Sequence, residues 1–156
     1  MTDTKHGTQT TPALRLEEQL CLDLYVASRA LIGAYRSELA RHHLTYPQYL
    51  VLLALHEHGP RSVKQLSEHL CLDAGTLSPL LKRLESAGYI KRERHTSDAR
   101  ELSVTLTPAG THLRTDLRDL RDRVMRGTGL SPDALRTLKQ TLRNLTANLH
   151  DMQSDG

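Results

Sequence analysis

A chain of 156 residues holds one domain, or one domain with an extension for association. Aromatics make up 3%, with no Trp and no Phe, so the core has to be built from Leu, Ile, Val and Ala, and the recurrence of Leu at helical spacing favours an α-rich fold. Two cysteines are too few for a disulfide scaffold, the polar start MTDTKHGTQTTP argues against a signal peptide, and no apolar run reaches bilayer-spanning length. The net charge of +3 permits nucleic-acid binding without arguing for it.

The expectation is a cytoplasmic protein with reduced thiols and a disordered tail over residues 1–11. Thr11-Pro12 reads as a helix start, and Leu16, Leu20, Leu24, Ala27, Leu31 and Ala34 continue at steps of three or four, which predicts one long amphipathic helix to about Arg41. HHLTYP interrupts it. Pro47 opens a second helix, PQYLVLLALHEH, apolar nearly all round and therefore buried. Gly59-Pro60 ends it, and Ser62 caps a short third helix, SVKQLSEHL.

CLDAG is a turn. A fourth helix, GTLSPLLKRLESAG, follows, with Leu77, Leu80, Leu81 and Leu84 inward and Gly88 as its stop; Pro79 is expected within its tolerated first turn. The period then changes to two. YIKRER and ELSVTLT alternate as strands around a tip, HTSDAR. Thr107-Pro108 restarts a helix to Gly127, and Ser131-Pro132 starts a last one.

Helix, tight turn, helix and hairpin make a winged helix-turn-helix. The fold class is therefore mainly α with a two-stranded β wing, plus long N- and C-terminal helices, and residues 47–106 form the DNA-binding region. The fourth helix presents Thr76, Ser78, Lys82 and Arg83 outward, where small hydroxyls and cations suit base and phosphate contacts. The hairpin adds Lys91, Arg92, Arg94, His95 and Arg100. The repeated Arg and Asp of LRTDLRDLRDRVMR read instead as pairing on a solvated helix.

The stretch DARELSVTLTPAG resembles the D-x-R-x5-L-T-x2-G signature of MarR-type winged-helix repressors through Asp98, Arg100, Leu106, Thr107 and Gly110. The resemblance implies that Arg100 enters a minor groove, whose negative potential attracts it, and that Asp98 holds its guanidinium. It also implies that the long N- and C-terminal helices, 12–46 with 107–153, are dimerisation helices, and that a homodimer sits on a palindromic operator of double-stranded DNA.

Four of the five tyrosines fall between residues 25 and 49, close after Cys21. Tyr25 is one turn from Cys21. Tyr35 is fourteen residues away, roughly 21 Å along a straight helix, so the two side chains meet only if two first helices pack antiparallel. Phenols that donate to sulfur stabilise a thiolate, the form that attacks a peroxide. The segment from LEEQLC through AYR and TYPQY closely resembles the organic-hydroperoxide-sensing branch of the MarR family, OhrR. That likeness implies that Cys21 is the reactive cysteine and that Tyr35 and Tyr46 hydrogen-bond to it; Tyr25 lines the site or only packs.

Some members of that branch resolve the oxidised sulfur with a second, C-terminal cysteine. This sequence has no Cys beyond Cys71, which is read as a packing residue, so the expected partner is a small cellular thiol in a mixed disulfide. Tyr49 is expected in the core. The function read from the sequence is a redox-sensing repressor that releases DNA when organic hydroperoxide oxidises Cys21. The alternative is a MarR-type repressor with a non-covalent phenolic ligand. No enzyme activity, metal or cofactor is expected; His42-His43 and His112 lack a ligand framework.

Overall fold

The structure, a computed structural model, describes residues 15–94 and 102–154. The expected first helix is shorter. A single 3-10 turn at Leu16–Glu18 leads to an extended Gln19, and α1 runs Leu20–Arg41. Thr11-Pro12 lies outside the described residues. The start at Leu20 puts Cys21 in the first turn of α1, where backbone N–H groups lack helical partners. Of the residues of α1 only Tyr35 and Leu39 are buried, while Leu20, Tyr25, Val26 and Leu31 lie exposed.

Helix α2 (Tyr46–His58) begins at Tyr46, after Thr45, whose N–H donates to the side chain of Gln48. Six of its residues are buried, as a helix apolar all round requires. Gly59 leaves it at φ +72, a conformation that glycine adopts without penalty. Ser62 caps α3 (Val63–Leu70): its hydroxyl accepts from the N–H of Gln65, and Gln65 accepts in return. Cys71 closes α3 in the left-handed region, φ +52, and is exposed, not packed as expected.

Asp73 caps α4 (Ala74–Ser86), accepting from the Thr76 N–H at 2.8 Å. Because α4 starts at Ala74, Pro79 sits in its second turn and not its first. The Pro79 ring lacks an N–H, so the Gly75 carbonyl loses its helical partner.

The wing has one strand more than expected. β2 (Ile90–Arg94) pairs with β3 (Leu102–Leu106), and β3 also pairs with β1 (Arg61–Ser62), giving the antiparallel order β1-β3-β2. Two residues between Gly59-Pro60 and a helix cap carry no readable alternation. The expected helix from Thr107 is two: α5 (Pro108–His112) and α6 (Arg114–Gly127). They join at Leu113, ψ −15, which turns its side chain into the core.

At the base of the wing the Thr107 N–H donates to the Tyr89 carbonyl at 3.0 Å, and the Thr107 hydroxyl accepts from the Gly110 N–H. A Cβ on Gly110 would stand 2.1 Å from that same carbonyl oxygen. The L-T-x2-G part of the signature is thus a helix cap in tight contact with a strand end.

The core joins α2, α3, α4 and the sheet through Leu52, Leu66, Leu77, Leu84, Ile90 and Val104, and extends to α1 and α6 through Leu39 and Leu117. Helix α7 (Pro132–Ser154) buries nothing. Its Leu135, Leu138, Leu142, Leu145, Leu149 and Met152 alternate steps of three and four, the seam of a helix that packs against another. Leu138, Leu142, Leu149 and Met152 of this seam are exposed. No described helix is long and apolar enough to cross a membrane.

Candidate redox site and nucleic-acid interface

Tyr35 from α1 meets Tyr46 and Tyr49 from α2. Its ring centroid lies 5.2 Å from each, and Tyr46 and Tyr49 are 5.7 Å apart, all tilted. Residues 46 and 49 are three apart, so α2 turns both to one side. Tyr35 and Tyr49 are 3% and 1% exposed; Tyr46 is half-buried. Such tilted rings attract one another beyond their burial.

The cluster floors a cavity of about 570 Å³, walled by Leu31, Leu50, Leu53 and Met125 and by Leu138 and Leu142 of α7, with Arg121, Asp122 and Lys139 also on its lining. Arg121 donates to Asp122 at 2.7 Å. Burial, then the neighbouring Tyr46, pushes the Tyr35 hydroxyl above the ordinary phenol value; burial raises Tyr46 as well. Burial first, then Tyr35 and Tyr46, raises Tyr49 further. The three phenols therefore stay protonated at neutral pH and keep their O–H groups as available hydrogen-bond donors.

Of the residues expected here, the chain brings Tyr35 and Tyr46 together and leaves Cys21 and Tyr25 apart. Cys21 is exposed in the first turn of α1, fourteen residues of continuous helix from Tyr35, about 21 Å. Tyr25 is exposed. Its hydroxyl accepts from Arg29 at 3.3 Å, and the Arg29 guanidinium lies over its ring at 5.4 Å. Tyr49 is buried as expected, but it is also the third member of the phenol cluster, and its spacing from Tyr46 was the signal. A second, polar groove beside α6 contains no phenol and is lined by the ion pair of Glu38 with Arg123 and by His42, whose ring nitrogen lies 3.9 Å from Asp116.

On α4, Leu77, Leu80, Leu81 and Leu84 are buried and Thr76, Ser78, Lys82 and Arg83 are exposed. The Thr76 hydroxyl donates to Asp73 at 2.7 Å, which fixes it at the helix start. That bond and the Thr76 N–H hold the Asp73 carboxyl below its ordinary range. Arg94, at the end of β2, is exposed. Asp98, Arg100 and His95 lie outside the described residues.

Arg92 does not share the outward role expected of the hairpin cations. Its guanidinium donates to Glu85 at 2.6 and 2.9 Å, and its N–H donates to the same carboxylate at 3.1 Å. The pair ties the wing to α4, and Arg92 holds the Glu85 carboxyl below its ordinary range. Among the described residues no cluster of three or more His, Cys, Asp or Glu is arranged to hold a metal.

The family model "MarR family" matches residues 44–102, from the start of α2 into β3. The chain is 46% identical over 86% of its length to the HTH-type transcriptional regulator TtmR of Methylorubrum extorquens, covering 69% of that protein. It is 40% identical over 88% of its length to the organic hydroperoxide resistance transcriptional regulator of Bacillus subtilis, covering 93% of it. Among solved structures, overoxidised AbfR bound to DNA superposes with a TM-score of 0.74 at 36% identity, over 86% of this chain and 95% of that one. The disulfide-formed AbfR is 39% identical over 85% and 93% of the two chains, yet superposes at only 0.63. On this similarity, which extends well past the winged region, the chain belongs to the MarR family of DNA-binding transcriptional regulators.

Proposed function

We propose that this regulator is a homodimer that holds a palindromic operator when reduced and releases it when an organic hydroperoxide oxidises Cys21. The observation that carries the reading is the split site. Two phenols, Tyr35 of α1 and Tyr46 of α2, stand clustered at an apolar cavity, and the cysteine that would use them stands exposed fourteen residues back along α1 from Tyr35, out of its reach. A second protomer packed antiparallel along α1 brings its Cys21 to Tyr35 and Tyr46. The uncovered apolar faces of α1 and α7 support that partner.

The chemistry is a two-electron exchange. The Cys21 thiolate attacks the terminal oxygen of the hydroperoxide, an S–O bond forms and the O–O bond breaks. Sulfur becomes a sulfenic acid, and the alkoxide takes a proton from solvent to leave as the alcohol. A small cellular thiol then displaces water from the sulfenic acid and leaves a mixed disulfide. The apolar cavity suits an organic substituent.

The first step removes the charge from sulfur and the second replaces its hydroxyl with a bulkier thiol, and together they end its role as a charged acceptor for Tyr35 and Tyr46. Hydrogen bonds to a charged group are worth about 1.5–3 kcal/mol each. With two sites per dimer, a differential of about 3–4 kcal/mol between the two dimer arrangements lowers operator affinity by two to three orders of magnitude. DNA contact falls to Thr76, Ser78, Lys82 and Arg83 on α4 and to Arg94, Asp98 and Arg100 of the wing.

The comparisons support this reading at two points. One relative is named for organic hydroperoxide resistance. The fold also superposes better on a DNA-bound AbfR, TM-score 0.74, than on its disulfide form, 0.63. That the DNA-bound AbfR is overoxidised fits release by an adduct rather than by oxidation as such.

The test is operator release by cumene hydroperoxide with a small thiol present. Wild type releases DNA, and Cys21→Ser stays bound. Equal release of the serine variant removes Cys21 from the mechanism and leaves a non-covalent ligand as the inducer.

A further inference from the structure

Tyr49 has a hydroxyl that its position does not explain. The side chain is 1% exposed, and the oxygen is shut off from solvent with no partner of full hydrogen-bond geometry among the described residues. A buried tyrosine hydroxyl ordinarily finds one, and an apolar side chain would fill the same space without an unmet donor. The hydroxyl belongs to a ring that lines the phenol cavity, 5.2 Å from the ring of Tyr35 and 5.7 Å from that of Tyr46.

We infer that Tyr49 is a positioning residue of the redox site: its hydroxyl donates to the phenol oxygen of Tyr35 when two protomers close on the cavity, and so aims the Tyr35 proton at the partner's sulfur. The inference rests on the reading of Cys21 and Tyr35 given above. A phenol oxygen both donates and accepts, so Tyr35 can take a proton from Tyr49 on one side and offer its own on the other. Accepting a bond polarises Tyr35 and makes it the stronger donor. The two hydroxyls lie close enough to bear on one another: burial dominates and leaves both above the ordinary phenol value, and the contact between them opposes that rise at Tyr35 and adds to it at Tyr49.

The charged and titratable groups around Tyr49 leave that assignment standing. Tyr35 faces it from α1 and Tyr46 from α2. Arg121 and Asp122 face it from α6 but are bound to each other, and Lys139 reaches the cavity from α7. Arg121 takes up one oxygen of Asp122; of the two phenols, Tyr35 has the ring nearer to Tyr49, 5.2 Å against 5.7 Å for Tyr46, and its hydroxyl is the one coupled to that of Tyr49.

The test is Tyr49→Phe in the full-length dimer, which keeps the ring and removes the oxygen. Oxidation of Cys21 by cumene hydroperoxide is followed by mass spectrometry from pH 5 to pH 9. The rate at neutral pH falls about two- to tenfold, the size of one neutral hydrogen bond, and the midpoint of the pH profile moves upward. Thermal unfolding of the reduced protein stays as in wild type. Tyr35→Phe slows oxidation further, and Tyr35→Phe/Tyr49→Phe is no slower than Tyr35→Phe alone, because Tyr49 acts through Tyr35.

A Tyr49→Phe protein with the wild-type rate and pH profile, beside a slow Tyr35→Phe, overturns the inference alone. So does a double variant whose losses multiply. A Tyr35→Phe protein that oxidises at the wild-type rate overturns the reading of the site itself.

Discussion

Gly110→Ala tests whether the base of the wing is as tight as its geometry states. The added Cβ would stand 2.1 Å from the Tyr89 carbonyl oxygen, 3.1 Å from its carbon and 3.2 Å from a methyl of Leu106. The first contact is more than 1 Å inside van der Waals distance, and its partner is backbone that cannot rotate away. The same oxygen accepts from Thr107, which caps α5, and the Tyr89 side chain donates to the His42 carbonyl at 3.1 Å. Relief therefore requires α5 to lift from the sheet and gives up at least one of these bonds. Overpacking of this kind costs about 1–3 kcal/mol and a lost hydrogen bond about 1, together about 2–4 kcal/mol. In a domain of this size that is a fall of about 5–15 °C in Tm, read by circular dichroism at a fixed protomer concentration. Operator affinity falls with it, because β3 carries the wing. A variant within 2 °C of wild type that still binds DNA refutes the tight contact, and with it the steric account of the glycine in the signature.

Leu142→Glu places a charge in the middle of the α7 seam. The expected result is a monomer by light scattering and loss of operator binding, as half-sites are then bound singly. His56 is held below its ordinary range by burial first and by Arg114 next. The unfolded chain thus binds a proton that the folded one resists, so stability falls as pH drops through the unfolded value of about 6.5 and levels off below the folded one. His56→Gln flattens that acid slope in denaturant titrations at pH 5 to 8, and an unchanged slope refutes the assignment. Ser62→Ala removes the α3 cap and costs about 1 kcal/mol, or about 2–4 °C in Tm, with oxidant response kept.

Long-period features were legible in the sequence. The leucine stripe of α4 predicts which side chains turn outward, and burial follows it residue by residue from Leu77 to Leu84. The change from helical to two-residue spacing locates the wing strands. What the sequence hides is short or mutual. β1 is two residues long, too brief to show a period, and exists because β3 offers it an edge. The first helix reads as continuous from Thr11 because Leu16 and Leu20 keep the spacing across the extended Gln19.

Arg92 reads as one more groove cation, since nothing in YIKRER marks Glu85, seven residues earlier, as its partner. Tyr46 and Tyr49 share a side of α2 by spacing, but only the approach of α1 turns them into a cluster with Tyr35. The distance from Cys21 to Tyr35 was countable on the helix, and it is what makes the site a property of two chains.

That property is best measured in a mixed dimer of one Cys21→Ser protomer and one Tyr35→Phe/Tyr46→Phe protomer, with the oxidation rate of the one remaining Cys21 followed by mass spectrometry. A site built across the two chains faces that cysteine with the intact tyrosines of the serine protomer, and it oxidises at the wild-type rate. Oxidation as slow as in the homodimer lacking both tyrosines would contradict the account.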